Sequence, residues 1–289
     1  MKTKVTATVY LVIFLDMLGF GVLIPVVRDL TQALVVHSGL SWPRPEVYMG
    51  ILMAVYSGSQ MLSAPIWGHL SDRYGRKPIF LLSTIGNVFS YVVWIIANDY
   101  WLFLFGRILS GITGGNIAIA QSIIADHTTP EERPRAMGLL GAAIGMGFVL
   151  GPFLGGWIIN YNHLINTNMI KINQFWSIGV VCLILSIAST IMIIFSHYKE
   201  AHKTTLSTVE GFSGVVDAIK SPALRLTYNA HLLSQFSFVI FEVLFAWILQ
   251  NQYNFDLKET FYFFGIQGLI LAFIQGGIYR RVEKKHPPG

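Results

Sequence analysis

Residues 68–77 read Gly68-His-Leu-Ser-Asp72-Arg73-Tyr-Gly75-Arg76-Lys77, and this stretch decides the fold. Gly68, Asp72, Arg73, Gly75, Arg76 and Lys77 make the pattern G-x-x-x-D-R-x-G-R-K. With residue frequencies of roughly 5 to 10% at each fixed position, a chance match in a chain of this length is on the order of one in ten thousand. The glycines allow a tight turn and close helix approach. A carboxylate among three cations can swap between local partners and the positive end of a neighbouring helix. A merely solvated basic loop accounts for the cations but not for the glycines or Asp72.

Both flanks of this loop are apolar. Val47 to Leu70 precedes it and Ile79 to Ala97 follows, each near the ~20 residues that cross a ~30 Å hydrocarbon core as helix. Six more such runs are Val5 to Val27, Trp101 to Ile124, Ala136 to Ile159, Phe175 to Phe195, Leu226 to Leu249 and Glu259 to Tyr279. Backbone groups left unpaired in lipid cost several kcal/mol, so all eight are expected as helices. The first run, behind Lys2 and Lys4, continues for 23 residues, carries Asp16 and lacks a small-residue cleavage site. It therefore reads as a retained helix and not as a signal peptide.

Composition agrees. Of 289 residues, 53% are hydrophobic and 12% charged, with a mean hydropathy of +0.56. That excludes an ordinary soluble enzyme or a disordered binder. The net charge of +5 could suggest nucleic acid, but its placement gives another reason. Fifteen of the 20 Lys and Arg fall in the termini and loops of one side; Arg28, Arg44, Lys171 and Lys258 fall on the other, and Arg107 lies inside a span. This bias puts both termini in the cytoplasm and makes a nucleic-acid partner unnecessary. Trp42, Tyr48, Tyr100, Trp101, Trp157, Tyr161 and Tyr253 near the outer ends fit interfacial anchoring. The single cysteine, Cys182, excludes an intrachain disulfide and a Cys-based metal cluster.

Six runs follow one another with short loops; a polar stretch from Ser196 to Ala223 interrupts them, and two more runs follow. The expected organisation is a six-helix bundle over 1–196, a cytoplasmic linker over 197–223 and two helices of a second bundle over 224–289. Gly276-Gly-Ile-Tyr-Arg-Arg-Val-Glu-Lys-Lys285 shares its glycine, branched apolar residue and basic positions with residues 68–77, a weak sign of a parallel repeat. Small residues recur at helical spacing: Gly50, Ala54, Gly58 and Gly68; Gly141, Gly145, Pro152 and Gly156; Gly265, Gly268, Ala272 and Gly276. Such stripes let backbones approach where lipid supplies no hydrophobic drive.

The 68–77 pattern resembles the loop signature of the major facilitator superfamily, and two further stretches point the same way. Arg107-Ile-Leu-Ser-Gly111-Ile-Thr-Gly114-Gly115 resembles the family's intramembrane arginine motif, with Ser110 where glutamine is common. Gly147-Phe-Val-Leu-Gly151-Pro152-Phe-Leu-Gly155-Gly156 is similar to the antiporter motif of its drug:proton branch. Asp16, Gly19, Gly21 and Pro25 in the first run, with Ile124-Ala125-Asp126 closing the fourth, look most like the tetracycline and multidrug efflux members. The resemblance implies an all-α membrane protein: a major-facilitator-type helical bundle with a complete six-helix N-terminal half and two helices of the C-terminal half. It implies proton exchange, a small-molecule substrate, an inner (plasma) membrane location and a meeting of the fifth and eighth helices. The family pattern is two six-helix halves. The chain stops at Gly289, after the eighth run, which leaves a fragment, a weakly active truncation or a chain completed by self-association as readings. A transport-inactive membrane interaction protein is the competing function.

Some residues carry chemistry without the family. A charge near the bilayer centre costs at least ~2.5 to 3.5 kcal/mol on insertion scales, so Arg107 should face a partner or a wet cavity. The alternative is a structural arginine satisfied by backbone carbonyls. Asp16, twelve residues into the first run, can exchange a proton or bind a cationic group, or else pair structurally with another helix. His231, Gln235 and Glu242 share one face of the seventh run and would line a polar path, with Glu242 the strongest candidate. Asp126 and His127 need nothing beyond topology and capping. There is no G-x-x-x-x-G-K-[ST], H-E-x-x-H or G-x-S-x-G, so no nucleotide, metal, other cofactor or catalytic residue is expected, and transport would run on an ion gradient.

Overall fold

Helices apolar on every side gain nothing by facing water, and this chain packs them side by side. In a computed structural model, the described residues are 2–24, 26–40, 45–164, 175–196 and 247–273, with isolated positions from 221 to 245. Among them are helices α1 (Lys2–Leu23), α2 (Val27–His37), α3 (Pro45–Tyr74), α4 (Arg76–Ile96), α5 (Tyr100–Thr113), α6 (Asn116–His127), α7 (Arg133–Leu164), α8 (Trp176–Phe195) and α9 (Leu257–Phe273). No strand occurs among the described residues. Five segments are long and apolar enough to cross a membrane: Val5–Leu23, Arg76–Ile96, Tyr100–His127, Arg133–Ile158 and Trp176–Phe195. The protein is a multi-pass helical membrane protein.

Several boundaries differ from expectation for local reasons. The first run stops at Leu23, and the chain restarts at Val27 as α2, whose buried Val27, Leu30, Thr31, Leu34 and Val35 lie on one face. The fourth run is divided into α5 and α6 at Gly114 and Gly115. The second run is longer than expected, as α3, but its Ser57, Gly58, Ser59, Gln60 and Ser63 dilute its apolar character. α9 opens on a reciprocal capping box: the Glu259 backbone N–H donates to Asp256 Oδ1 at 2.6 Å, and the Asp256 N–H to Glu259 Oε2 at 2.9 Å. Glu242, His231, Gln235 and the linker, apart from Ser221, lie outside the described residues.

The core divides into two apolar clusters, and the division falls at the same level in each helix. Leu18, Val22 and Leu23 of α1, Trp94 of α4, Tyr100 and Phe103 of α5, Ile158 of α7 and Cys182 of α8 belong to one. Val5 to Met17 of α1, Ile79 and Phe80 of α4, Ile119 to Ile124 of α6, Ala136 and Leu140 of α7 and Ile193 of α8 supply the other. Between them in sequence lie buried Asn87, Arg107, Thr113, Asn116, Ser186 and Ser189. The bundle is therefore greasy at both ends and polar across its middle.

Close backbone packing is concentrated on α7. A Cβ at Gly151 would sit 2.7 Å from both Gly21 Cα and Leu18 O, and one at Gly147 would sit 2.8 Å from Phe14 O, so both glycines are pressed against α1. One at Gly156 would lie 2.6 Å from Phe261 Cβ of α9, and one at Gly265 would meet Phe153 at 3.2 Å. The fifth and eighth runs meet, as the resemblance implied. The small-residue stripe of α3 does not behave as expected: Gly50, Gly58 and Gly68 have nothing within 4 Å of a built Cβ, nor does Gly141 of α7. Helical spacing places such residues on one face, and only the assembled bundle decides whether a neighbour stands there.

A side chain at Gly151 collides with backbone, which cannot shift alone. Gly151→Val should destabilise the bundle by about 1 to 3 kcal/mol. Gly141→Ala should be neutral or slightly stabilising. Thermal unfolding of detergent-solubilised protein checks the contrast.

Candidate functional site

The polar middle layer is built around the α5–α6 interruption. Gly111, Gly114 and Gly115 are glycines because α3 approaches too closely for anything larger. A Cβ at Gly111 would sit 2.5 Å from Tyr56 O, one at Gly114 would sit 2.9 Å from Gln60 Nε2, and one at Gly115 would overlap the Trp67 ring. The break frees carbonyls inside a bilayer, where each unmet acceptor is costly. Neighbouring helices answer them. Ser63 Oγ donates to Gly111 O at 3.3 Å, Trp67 Nε1 to Ile112 O at 2.5 Å, Ser83 Oγ to Thr113 O at 2.6 Å and Gln60 Nε2 to Gly114 O at 2.8 Å. Thr113 Oγ1 in turn donates to Asn87 Oδ1 at 2.8 Å.

The break also sets Asn116 as the first residue of α6, where its Nδ2 donates to Asp16 Oδ2 of α1. A carboxylate at a helix N-terminus is favoured by the exposed N–H groups and the dipole there. Asp16 and Arg107 both line one pocket, together with Phe20, Tyr56, Asn87 and Asn116. It is a narrow, partly open cleft. They do not pair with each other: the ion pairs among the described residues are Arg76–Asp72 and Arg76–Asp126. Arg107 is 6% exposed, and its guanidinium carbon lies 4.3 Å from the Tyr56 ring centroid and 6.0 Å from that of Phe20. Its Nη2 reaches Met53 Sδ at 3.9 Å. A desolvated cation over an aromatic face gains about 2 kcal/mol. Arg107 is thus held by rings and a thioether, and no backbone carbonyl is its partner among the described residues.

At one end of the bundle the 68–77 loop forms a second cluster. Gly75 has φ 101° and ψ 149°, a conformation essentially restricted to glycine, and it turns α3 into α4 across one residue. The turn places Arg76 between two carboxylates. Its Nη1 pairs with Asp72, its Nε donates to Asp126 Oδ2 of α6 at 2.9 Å, and Nη1 also reaches Ser71 Oγ at 2.8 Å. Lys77 Nζ donates to Ile194 O at 2.9 Å and Ser196 O at 2.7 Å, a cation at the negative end of α8. Arg73 lies over the Tyr74 ring at 5.3 Å.

The structure therefore joins Asp16 and Arg107 at one pocket, gathers Asp72, Arg76 and Lys77 at the loop, and divides the glycine-rich motif of α7. Gly147 and Gly151 face α1, Gly155 meets both Val22 of α1 and Phe261, and Gly156 faces Phe261, with Pro152 inside the helix between them. Gly68 meets open space. Sequence reasoning missed Asn116, Asn87 and Tyr56, and it left Asp126 as a mere helix end. The first two carried a signal, an amide inside an apolar run. Tyr56 carried none, because a tyrosine in a span has many ordinary places to be.

Membrane-length helices surround a buried polar layer, with a glycine turn at one end and a glycine-lined helix seam. The sequence pattern of the Major Facilitator Superfamily matches residues 9–288, and the chain belongs to that family. The class D tetracycline resistance protein of Salmonella ordonez is 31% identical over 297 residues, an alignment covering 96% of this chain and 68% of that protein. The class H protein of Pasteurella multocida is 38% identical over 148 residues, covering 51% of this chain and 36% of that protein. The crystal structure of the human organic anion transporter MFSD10 (TETRAN) has a TM-score of 0.73 and 23% identity, covering 97% of this chain and 72% of that one, and shares the fold.

Two outcomes follow from the geometry. Gln60→Met removes the donor to Gly114 O and should cost about 1 to 3 kcal/mol, seen as faster amide exchange around residues 113–119. Gly75→Ala puts a Cβ on a backbone that only glycine adopts readily and should lower stability by about 1 to 3 kcal/mol, read from the unfolding midpoint.

Proposed function

We propose that the protein is a proton-coupled secondary transporter, an antiporter that exports a drug or small metabolite by alternating access. The observation that carries this reading is Asp16 and Arg107 lining one pocket midway along an apolar bundle without neutralising each other. Charged side chains at that depth persist where they serve a path for protons or solutes. Asp16, Arg107 and Glu242 line the path, and the loop of Gly68, Asp72, Arg73, Gly75, Arg76 and Lys77 controls opening at the cytoplasmic end. The paired contacts of Arg76 with Asp72 and Asp126 suit that role, since each is within reach of solvent and exchangeable. The seam of α7 with α1 and α9, built on Gly147, Gly151, Pro152, Gly155 and Gly156, supplies the surface along which the bundles move. Similarity to tetracycline resistance proteins supports an aromatic drug as cargo. The charge bias supports cytoplasmic termini, and the likeness to bacterial tetracycline resistance proteins supports the inner (plasma) membrane as the location.

The experiment is uptake of tetracycline and cationic dyes by inverted membrane vesicles carrying the 289-residue chain. Uptake should collapse with an uncoupler and fall at least about tenfold in Asp16→Asn and Arg107→Ala, the loss of one charge-assisted contact. Uptake indifferent to the uncoupler, or equal in both variants and the parent, overturns the proposal.

A further inference from the structure

Two buried N–H donors without an acceptor line the same pocket. They are Arg107 Nε on α5 and Trp94 Nε1 on α4, in side chains 6% and 4% exposed. Buried donors are nearly always satisfied, and two orphans at one cavity call for an explanation. Neither residue is free to turn away. The Trp94 ring is wedged against Phe103 at 5.3 Å and Tyr91 at 6.0 Å, and the Arg107 guanidinium is held over Tyr56.

Two acceptors of the pocket are already engaged. Asp16 takes the Asn116 amide, and Asn87 Oδ1 takes the Thr113 hydroxyl. Two donors at the pocket stay unanswered, one of them on a cation that has no anionic partner among the described residues. Around them stand Phe20, Tyr56, Tyr91 and Leu23, flat or apolar surfaces suited to a ring.

We propose that this pocket is a binding site for a small aromatic acid, whose anionic oxygen accepts from Arg107 Nε and Trp94 Nε1 while its ring lies among Phe20, Tyr56 and Tyr91. This rests on the transporter reading, because it names the substrate class of the same pocket. Trp94 then acts as a specificity residue: its N–H rewards an acceptor and offers nothing to an ammonium group. The donors are fixed before the ligand arrives, so ordering them costs little, while Phe20, Tyr56 and Tyr91 move apart to admit the ring.

The test is equilibrium binding of radiolabelled 1-naphthoate to the purified 289-residue chain in lipid nanodiscs, with 1-naphthylmethylammonium and 1-naphthylmethanol as competitors of similar shape. Saturable naphthoate binding is expected, with both competitors weaker by roughly tenfold or more. Trp94→Phe keeps an aromatic face, smaller than the indole, and removes the orphan donor. It should weaken naphthoate roughly tenfold while leaving the affinity for the ammonium analogue unchanged, an outcome that lost packing alone would not give. Arg107→Gln should abolish the preference for the acid; should that variant fail to fold, Trp94→Phe decides. No saturable naphthoate binding, tighter binding of the ammonium analogue, or parent-like affinity in Trp94→Phe overturns the proposal. Loss of naphthoate binding alongside intact uncoupler-sensitive drug flux defeats the site and spares the transporter. Naphthoate binding without any flux does the reverse.

Discussion

A carbonyl turned loose inside a bilayer finds no water, and the interruption between Thr113 and Asn116 releases several at once. Everything polar in this bundle is organised by the need to meet them. Ser63, Gln60 and Trp67 reach in from α3 and Ser83 from α4, which obliges those helices to carry hydroxyl, amide and indole groups where lipid-facing helices carry leucine. The same need brings α3 so near that glycine is required at 111, 114 and 115. The break then starts α6 at Asn116, whose amide reaches Asp16 on α1. One irregularity in a helix thus fixes the neighbours of the carboxylate and the position of the pocket.

The two apolar clusters act as walls for that layer. Because each spans α1, α4, α7 and α8 and one end of the α5–α6 pair, the polar residues are held between two packed regions and not at a lipid surface. Arg107 can remain desolvated there because aromatic faces, which cost little conformational entropy to order, take the place of a counter-ion. The contacts on α7 are of another kind. Glycine against backbone leaves no side chains to interlock, and such a surface tolerates sliding better than knobs set in holes. At the loop, Arg76 is shared by two half-exposed carboxylates, an arrangement held by contacts that water can readily replace.

The rough limits of most described helices were legible because hydrocarbon imposes a length on apolar runs, and the 68–77 pattern was legible because Gly75 must occupy a conformation that other residues avoid. Arg107 and Asp16 announced themselves as charges where charges are expensive. Three things were hidden. The division of the fourth span looked like an unbroken run, since Gly114 and Gly115 are tolerated in membrane helices whenever a neighbour supplies donors, and that neighbour lies over 40 residues away at Gln60 to Trp67. The link from Arg76 to Asp126 joins residues 50 apart. The open space beside Gly50, Gly58 and Gly68 could not be told from the packed surfaces of Gly147 and Gly151, because the spacing is the same in both.

By itself, then, the sequence determined that the chain lies in a membrane, which stretches become helices, where the tight turn falls and which charges sit in hydrocarbon, because each of these follows from local backbone chemistry or the transfer energy of a side chain. Only the tertiary structure decided that Arg107 rests on Tyr56 and not on a carboxylate, that Asp16 takes its hydrogen bond from Asn116, and that Arg107 and Trp94 keep unanswered donors at one pocket. Those outcomes depend on which faces of distant helices meet, and a hydrogen bond or ring contact is set by ångström distances that no periodicity encodes.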